Sequence, residues 1–534
     1  MRTMMLPPLI NKYQVYTDNL TAKLRFFMEV SETLSGGGTE KVILNQHTDR
    51  ILNFTDASDR LKLEITQRTI ENGDEFFFLS MMNLTEKSQT LKFSLVLDLD
   101  NEGESSVFDL NEQYIKPSFS QRYGENKLTT PSKYIHTSSG SILVSKYVVY
   151  SDNILNYPDQ KRSITRKLIE ELDNIKVLRK SNAVHIETMV NLPAGLKSDL
   201  FLLISEEALF SSDQSRIEFF NDYKTSIANN DVRFNMWITP HGSYTKLPYS
   251  IEPFSPDAYG INLHHMSKKE LLRYYQRTND RFFYNLMYNA IVQLFGYRPV
   301  IDGLFITDYT STWLKKDFLI QSPYIDTRLN ETVTLAIEDC KHLFSFAELE
   351  SFHLNYAKFL VAYSKKGKLL SVQEGAYFFP DYFSLEEQAK PTHSSLNHQL
   401  GILNYLLKKF QLTGTQEYER VANAMLKAIQ LTSKRWIMEN RNLFYKVYYK
   451  DNELHYGDTD YVYVTLLDLL LVQSSLQSIY KQKHPAIDEL IISKMRFLEN
   501  NNYGLQDEQA LLPPNEDILS RKQAEKLALQ LGYL

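Results

Sequence analysis

Residues 322–335 read SPYIDTRLNETVTL and crowd Asp326, Arg328, Asn330 and Glu331 ahead of an apolar run. One side chain is enough to cap a helix start. Four polar groups therefore imply either a structural network or the lining of a binding site. Asp326 or Asn330 suits a cap, and Glu331 suits the first turn, where the helix dipole favours an acid. Arg328 carries a planar fork that holds a carboxylate by two bonds, whether on a ligand or on Asp326 or Glu331.

The pattern recurs. Y-x-D-T at 324–327 is matched at 456–459, inside HYGDTDY and again ahead of a helical run. Between them PTHSSLNHQ carries His393, Asn397 and His398. Positions 326, 392 and 458 lie 66 residues apart. A repeat of that length fits two helices and a loop, and stacked repeats bury one continuous core. The spacing predicts an α/α toroid with inner-helix N-termini gathered at one mouth.

That mouth would hold Tyr324, Asp326, Glu331, His398, Tyr456 and Asp458 as candidate catalytic groups. Arg328, Asn397 and Tyr461 are the candidate substrate-binding groups. Carboxylates and histidine exchange protons, tyrosine rings stack on sugars, and helix N-termini favour anions. Each residue also has a plain structural use, as a cap, an ion-pair partner or a packed ring.

The elements that must position these groups fall into two halves. RLKLEITQ (60–67) alternates, with Leu61, Leu63 and Ile65 on one face. EFFFLSMMNL (75–84), TLKFSLVLDLD (90–100), SILVSKYVVY (141–150), NAVHIETMVNL (182–192) and DLFLLISEE (199–207) continue the strand pattern. Strands with polar turns predict an antiparallel β-sandwich-like domain over 1–235. LSGGGTEKV (34–42) reads as a flexible turn, because it lacks the G-K-[ST] of a phosphate loop. KRSITRKLIEELDNIKVLRK (161–180) has Leu168, Leu172, Ile175 and Leu178 at helical spacing and reads as an amphipathic surface helix.

Residues 236–254 read as a linker, and 255–534 as a toroid of about four helix pairs. MSKKELLRYYQRT (266–278) and DRFFYNLMYNAIVQLF (280–295) have helical periodicity. Residues 394–431 form a helix hairpin, with Gly414 ending the first helix. GLFITDYTSTWL (303–314) reads as a hairpin or extended loop.

Composition removes several classes. A net charge of −6 over 534 residues argues against nucleic acid as the main partner. No HExxH, Cys/His cluster, Walker or dinucleotide motif is present, so no metal or nucleotide cofactor is expected. Cys340 is the single cysteine, so no intrachain disulfide can form and a reducing, cytoplasmic location is predicted. The first residues lack a continuous apolar run of the secretory type. YVYVTLLDLLLV (461–472) is interrupted by Asp468 and is shorter than the ~20 residues a membrane span needs.

The run SLNHQLGILNYLLKKFQLTGTQEYERVANAMLKAIQL, followed by GDTDYVYVTLLDLLLVQSSLQ, resembles the C-terminal helical domain of glucuronyl C5-epimerases. The resemblance covers 394–480. It implies a β-rich region followed by a helical toroid, and an oligo- or polysaccharide partner. It also implies C5 epimerisation of glucuronyl residues. The family's Y-D-L-R-H and Y-H-x-x-H segments have no counterpart here. A β-sandwich followed by an α/α toroid also resembles glucoamylase-like and debranching hydrolases. Hydrolysis would need two carboxylates, such as Asp326 or Glu331 with Asp458. A glycan-binding or assembly protein without catalysis is the third alternative.

Overall fold

Leu61, Leu63 and Ile65 share a side because strand side chains alternate. The computed structural model buries all three between two antiparallel sheets. It describes residues 12–15, 24–44, 47–99, 105–110, 131–158, 161–180, 182–228, 236–247, 250–297, 303–384, 386, 388–507 and 518–534. The smaller sheet has five strands, with Gln89–Asp98 at its centre between Leu24–Val30 and Ala183–Leu192. The larger has 13 strands, and Glu75–Asn83 lies between Leu61–Thr69 and Lys197–Ser205. Leu63, Leu79 and Leu202 of the large sheet meet Phe93, Leu95 and Ile186 of the small one. Fully burying one such side chain contributes about 1.5–3 kcal/mol.

The other face of the large sheet packs on helices. Phe76, Phe78 and Phe201 meet Phe219 of α1 (Asp213–Ala228) and Phe282 and Phe283 of α4 (Arg281–Tyr297). Between these helices come α2 (Leu263–Met266) and α3 (Lys269–Thr278).

Three local expectations are corrected. Residues 161–180 form the strands Arg162–Leu172 and Ile175–Lys180, not a helix. The apolar spacing suited a helix, but Arg162–Leu172 has paired strands on both sides, Tyr147–Asn156 and Ala258–Ile261. That ladder outweighs local helical spacing. Residues 34–42 lie largely within the edge strand Ser35–Leu44 rather than in a turn. A β-carbon at Gly36 would lie 2.0 Å from the Asn53 carbonyl oxygen, so the close pairing requires glycine. Of the two forms expected for 303–314, the extended loop is the one found up to Ser311: Thr310–Ser311 pair with Ile251–Glu252, and a helix follows from Thr312. The stretch 236–254 carries the strands Trp237–Thr239 and Gly242–Lys246, which extend the large sheet.

The remaining helices are α5 (Thr312–Phe318), α6 (Thr327–Cys340), α7 (Leu349–Phe352), α8 (Asn355–Lys366), α9 (Leu396–Thr413), α10 (Gln416–Trp436), α11 (Val464–Tyr480), α12 (Pro485–Asn500) and α13 (Ile518–Gln530). Gly414 ends α9 with φ +69°, as its position predicts. Helices α6, α9, α11 and α13 form one row of neighbours, and α10 packs outside on α8, α9 and α12. Leu403, Leu406 and Leu407 of α9 and Leu466, Leu469 and Leu470 of α11 join one buried core. The chain is thus a β + α protein with an antiparallel N-terminal region and paired helices in toroid-like organisation. Among the described residues, no helix is long and apolar enough to cross a membrane.

Candidate functional site

Helices α6, α9 and α11 each follow a short strand: Tyr324–Asp326, Ser394–Ser395 and Glu453–Thr459. The three crowded residues of 326–330 divide their labour. Asp326 is the N-cap of α6, and its Oδ1 accepts from the amides of Arg328 at 2.8 Å and Leu329 at 3.0 Å. Asn330 clamps the turn to the preceding loop: Nδ2 donates to the carbonyls of Asp326 and Phe305, and Oδ1 accepts from the Phe305 amide. Arg328 points along the inner row. Nη1 donates to Glu331 at 3.0 Å and to the Asn397 carbonyl at 3.3 Å. Nη2 meets both carboxylate oxygens of Asp468 in α11, at 2.9 and 3.0 Å. One guanidinium therefore joins α6, α9 and α11. Burial pushes the Asp468 carboxyl up to about 7; Arg328 opposes the rise and Glu331 adds to it.

Beside this network lies a second one. Asp381 is fully buried, and its carboxylate accepts from the Ser395 amide at 2.9 Å and the Ser395 hydroxyl at 2.6 Å. His393 Nε2 lies 3.3 Å from Oδ2 of Asp381, and His398 Nδ1 lies 3.7 Å from Oδ1. His398 Nδ1 is also 2.7 Å from the Thr327 hydroxyl, which donates to the Asp381 carbonyl. The opposite ring nitrogens, His393 Nδ1 and His398 Nε2, take no hydrogen bond among the described residues.

The two aspartates are driven apart. Burial alone would raise both carboxyls. At Asp381 it is outweighed by the charges of His398 and His393 and by the Ser395 hydroxyl, which hold the carboxyl below its ordinary value. At Asp326 burial wins over His398 and the two capping amides, and the Asp381 charge adds to the rise. Neighbouring carboxyls pushed in opposite directions are the usual basis for dividing proton donor from charge stabiliser.

Aromatic rings surround these groups. The Trp313 ring stacks on His393 at 5.9 Å and meets Tyr382 edge-on at 5.6 Å. Tyr382 also packs on Tyr324 at 5.9 Å and near His398 at 6.1 Å. Tyr445 lies 6.2 Å from His393 and 5.7 Å from Tyr461. Trp313, Tyr382 and Tyr445 are half-buried and Tyr461 is exposed, so the rings form a partly open rim.

The structure brings Tyr324, Asp326, Arg328, Glu331, Asn397, His398 and Tyr461 to this region. Tyr324 is buried within its wall, and burial raises its phenol well above the ordinary value. Asn397 is buried in the first turn of α9, and its Oδ1 has no hydrogen-bond partner among the described residues. Tyr456 and Asp458 stand elsewhere. The Tyr456 ring meets Trp436 at 4.9 Å, with the Arg435 guanidinium 4.8 Å from its centroid. Asp458 is largely exposed and pairs with Lys446 at 2.7 Å. The acid at the α11 entrance is Asp460, fully buried against Lys494 at 2.9 Å and Thr465 at 2.7 Å. Sequence reasoning missed Asp381, Trp313, Tyr382 and Tyr445. Asp381 and Tyr382 lay inside YFFPDYFS, a polar helix approach whose aspartate was the available signal. Among the described residues, no group of three or more His, Cys, Asp or Glu is placed to hold a metal.

No family model and no curated protein matches this chain. Several solved structures match over part of it. Cellobiose 2-epimerase from Spirochaeta thermophila aligns over 60% of this chain and 83% of its own, at 13% identity and TM-score 0.39. A D-mannose isomerase aligns over 60% and 83%, at 13% identity and TM-score 0.38. An unsaturated glucuronyl hydrolase specific for heparin aligns over 53% and 68%, at 12% identity and TM-score 0.33. The chain is similar, at low identity and in part, to several carbohydrate-active enzymes.

Proposed function

We propose that this chain is a carbohydrate-active enzyme that moves a proton on a sugar residue held at the toroid mouth. The observation that carries the reading is the pair His393 and His398 on one buried Asp381, beside the helix-capping Asp326 and beneath the Trp313, Tyr382, Tyr445 and Tyr461 rings. Aromatic faces suit the apolar faces of sugar rings. An ionised Asp381 fixes the imidazole orientation and stabilises the imidazolium formed when histidine takes a proton. Asp326, whose carboxyl burial raises above its ordinary value, is the proposed proton donor.

The specific form we propose is C5 epimerisation of a uronyl residue. The C5 proton lies beside a carboxylate, so its removal needs a base on one face, an acid on the other, and a positive environment for the carboxylate. His398 is the proposed base and Asp326 the acid, while the N-terminus of α9 supplies positive character. Arg328, expected as the carboxylate clamp, already bonds Glu331, Asp468 and the Asn397 carbonyl, so in this reading it positions α6 and α9.

Glycoside hydrolysis is the second reading, favoured by the raised Asp326 carboxyl as proton donor. Asp458, its expected partner, pairs with Lys446 away from Asp326. The test is incubation with glucuronyl oligosaccharides and neutral glucans in heavy water. Deuterium at C5 supports epimerisation, and new reducing ends without exchange support hydrolysis. Binding with neither reaction would leave a glycan-binding protein and sink both enzyme readings.

A further inference from the structure

The loop ahead of the mouth is bonded in two directions. The amide of Thr307 donates to the Tyr324 carbonyl at 2.8 Å, on the mouth side. The carbonyl of the next residue, Asp308, accepts from the Ile164 amide of the large sheet at 3.0 Å, and the Thr310 amide donates to the Ser163 hydroxyl at 3.0 Å. Asp308 is therefore carried between the mouth and the sheet face. It is half-buried, and its Oδ1 has no hydrogen-bond partner among the described residues. Burial pushes this carboxyl up to about 7.

The sheet face that Asp308 joins is polar and partly open. Glu64, Ser80 and Asp199 stand directly across from one another on three adjacent strands, so their side chains share a face. Arg166 pairs with Asp199 at 2.7 Å and stands across from Asp152 on the next strand. Its guanidinium lies 3.8 Å from the Tyr244 ring centroid and 4.3 Å from that of Tyr150. Elsewhere this face is sealed by α1 and α4 through Phe76, Phe78 and Phe201. At Glu64, Ser80, Asp152 and Arg166 the side chains are only half-buried. A fixed guanidinium on aromatic rings, flanked by carboxylates and a hydroxyl, offers both donors and acceptors to a ligand rich in hydroxyls.

We propose that this shelf is a second carbohydrate subsite, holding a further residue of the oligosaccharide whose reacting residue lies at the mouth. The proposal rests on the carbohydrate reading above. Asp308 and Glu64 bond sugar hydroxyls, and Arg166 is the fixed donor between them. The mouth and the shelf then read one continuous chain, so affinity depends on chain length.

The test is calorimetric titration of the full chain with glucuronyl and cello-oligosaccharides of two and six residues. The expected result is about tenfold tighter binding of the six-residue chain, equivalent to one or two extra hydrogen bonds. Asp308→Asn and Glu64→Gln each remove most of that gain and leave disaccharide binding unchanged. Glu64 is half-buried, so its variant remains informative if Asp308→Asn fails to fold. Equal affinity for both lengths, or an equal loss at both lengths in Glu64→Gln, overturns the subsite and leaves the mouth reading intact. Absence of binding by any saccharide at either length overturns the mouth reading and the subsite together.

Discussion

Gly401 of α9 faces the ion pair of Arg328 and Glu331 so closely that a β-carbon there would lie 2.4 Å from both Arg328 Nη1 and Glu331 Oε2. The small residue is what lets α6 bring its charged pair against α9. In Gly401→Ala two effects oppose each other. Alanine gains about 1 kcal/mol in helix propensity, while forcing the buried pair apart costs about 1–3 kcal/mol. The clash dominates, and urea unfolding should show a net loss of stability. A more stable variant would mean that the pair moves aside freely.

Arg328→Ala strands Glu331 and Asp468 as neighbouring buried acids. Breaking a buried ion pair by removing one partner costs about 3–5 kcal/mol, and the 26% exposure of the Arg328 side chain places the loss near the lower end. Asp468 already has a folded-state carboxyl raised to about 7 from an ordinary 3.8. Such a group favours the folded state fully at pH below 3.8, and that contribution is lost as pH rises towards 7. Removing Arg328 raises the carboxyl further. The stability gap between wild type and variant should therefore narrow between pH 8 and pH 5. A gap independent of pH would show that Asp468 does not titrate in this range.

Asp326→Asn separates capping from chemistry. Asparagine caps a helix about as well as aspartate, so the unfolding free energy should change by less than about 0.5 kcal/mol. Loss of a positioned proton donor should lower turnover by about 10²–10⁴-fold. Asp326→Ala adds loss of the cap, about 1 kcal/mol. If the asparagine variant turns over at the wild-type rate, Asp326 is a cap only.

Asp381→Asn tests the shared partner of the histidines. The Asp381 carboxyl is held below its ordinary value, so it stabilises the fold above pH 3.8, and that contribution is lost as pH falls through the lowered value. The variant should lose this acid-range dependence. Its activity should drop and its pH–rate profile should shift, because the imidazoles lose the charge that orients them. Lower activity with an unshifted profile would assign Asp381 to packing alone.

Tyr461→Ala probes the rim. The ring is exposed, so stability should stay within about 0.5 kcal/mol of wild type. Loss of one aromatic contact should weaken glycan binding by about 0.5–1.5 kcal/mol, read as a raised KM with kcat unchanged. An unchanged KM would remove Tyr461 from the substrate path.

The sequence carried the broad plan because the plan is written in periodicity. Alternation marked Leu61, Leu63 and Ile65, and three- and four-residue spacing marked α9 and α10. The same spacing misled at 161–180, where the backbone partners of Arg162–Leu172 come from residues nearby in space but scattered along the chain. The α6 entrance was legible because Asp326, Arg328 and Asn330 fall within one short stretch of sequence. Their division into cap, keystone and clamp was not, since the keystone's partner is Asp468, 140 positions away. Asp381 was hidden for a similar reason: an aspartate in a loop acquires meaning only when His393 and His398 fold back onto it. Asp458 matched the repeat in spacing, but its hairpin carries it outward and Asp460 occupies the buried position at the helix.

The mouth draws Trp313, Asp326, Asp381, His398 and Tyr461 from five separate segments of the helical half. None of these segments holds a working subset, because Asp381 needs the 393–398 stretch for its histidines and Arg328 needs α11 for its acid. Competence is therefore a late property of folding. Loop closures across the inner row must be completed before the groups meet, and such non-local closures are slow. During refolding, helical signal should return ahead of ligand binding, with a lag set by docking of α11.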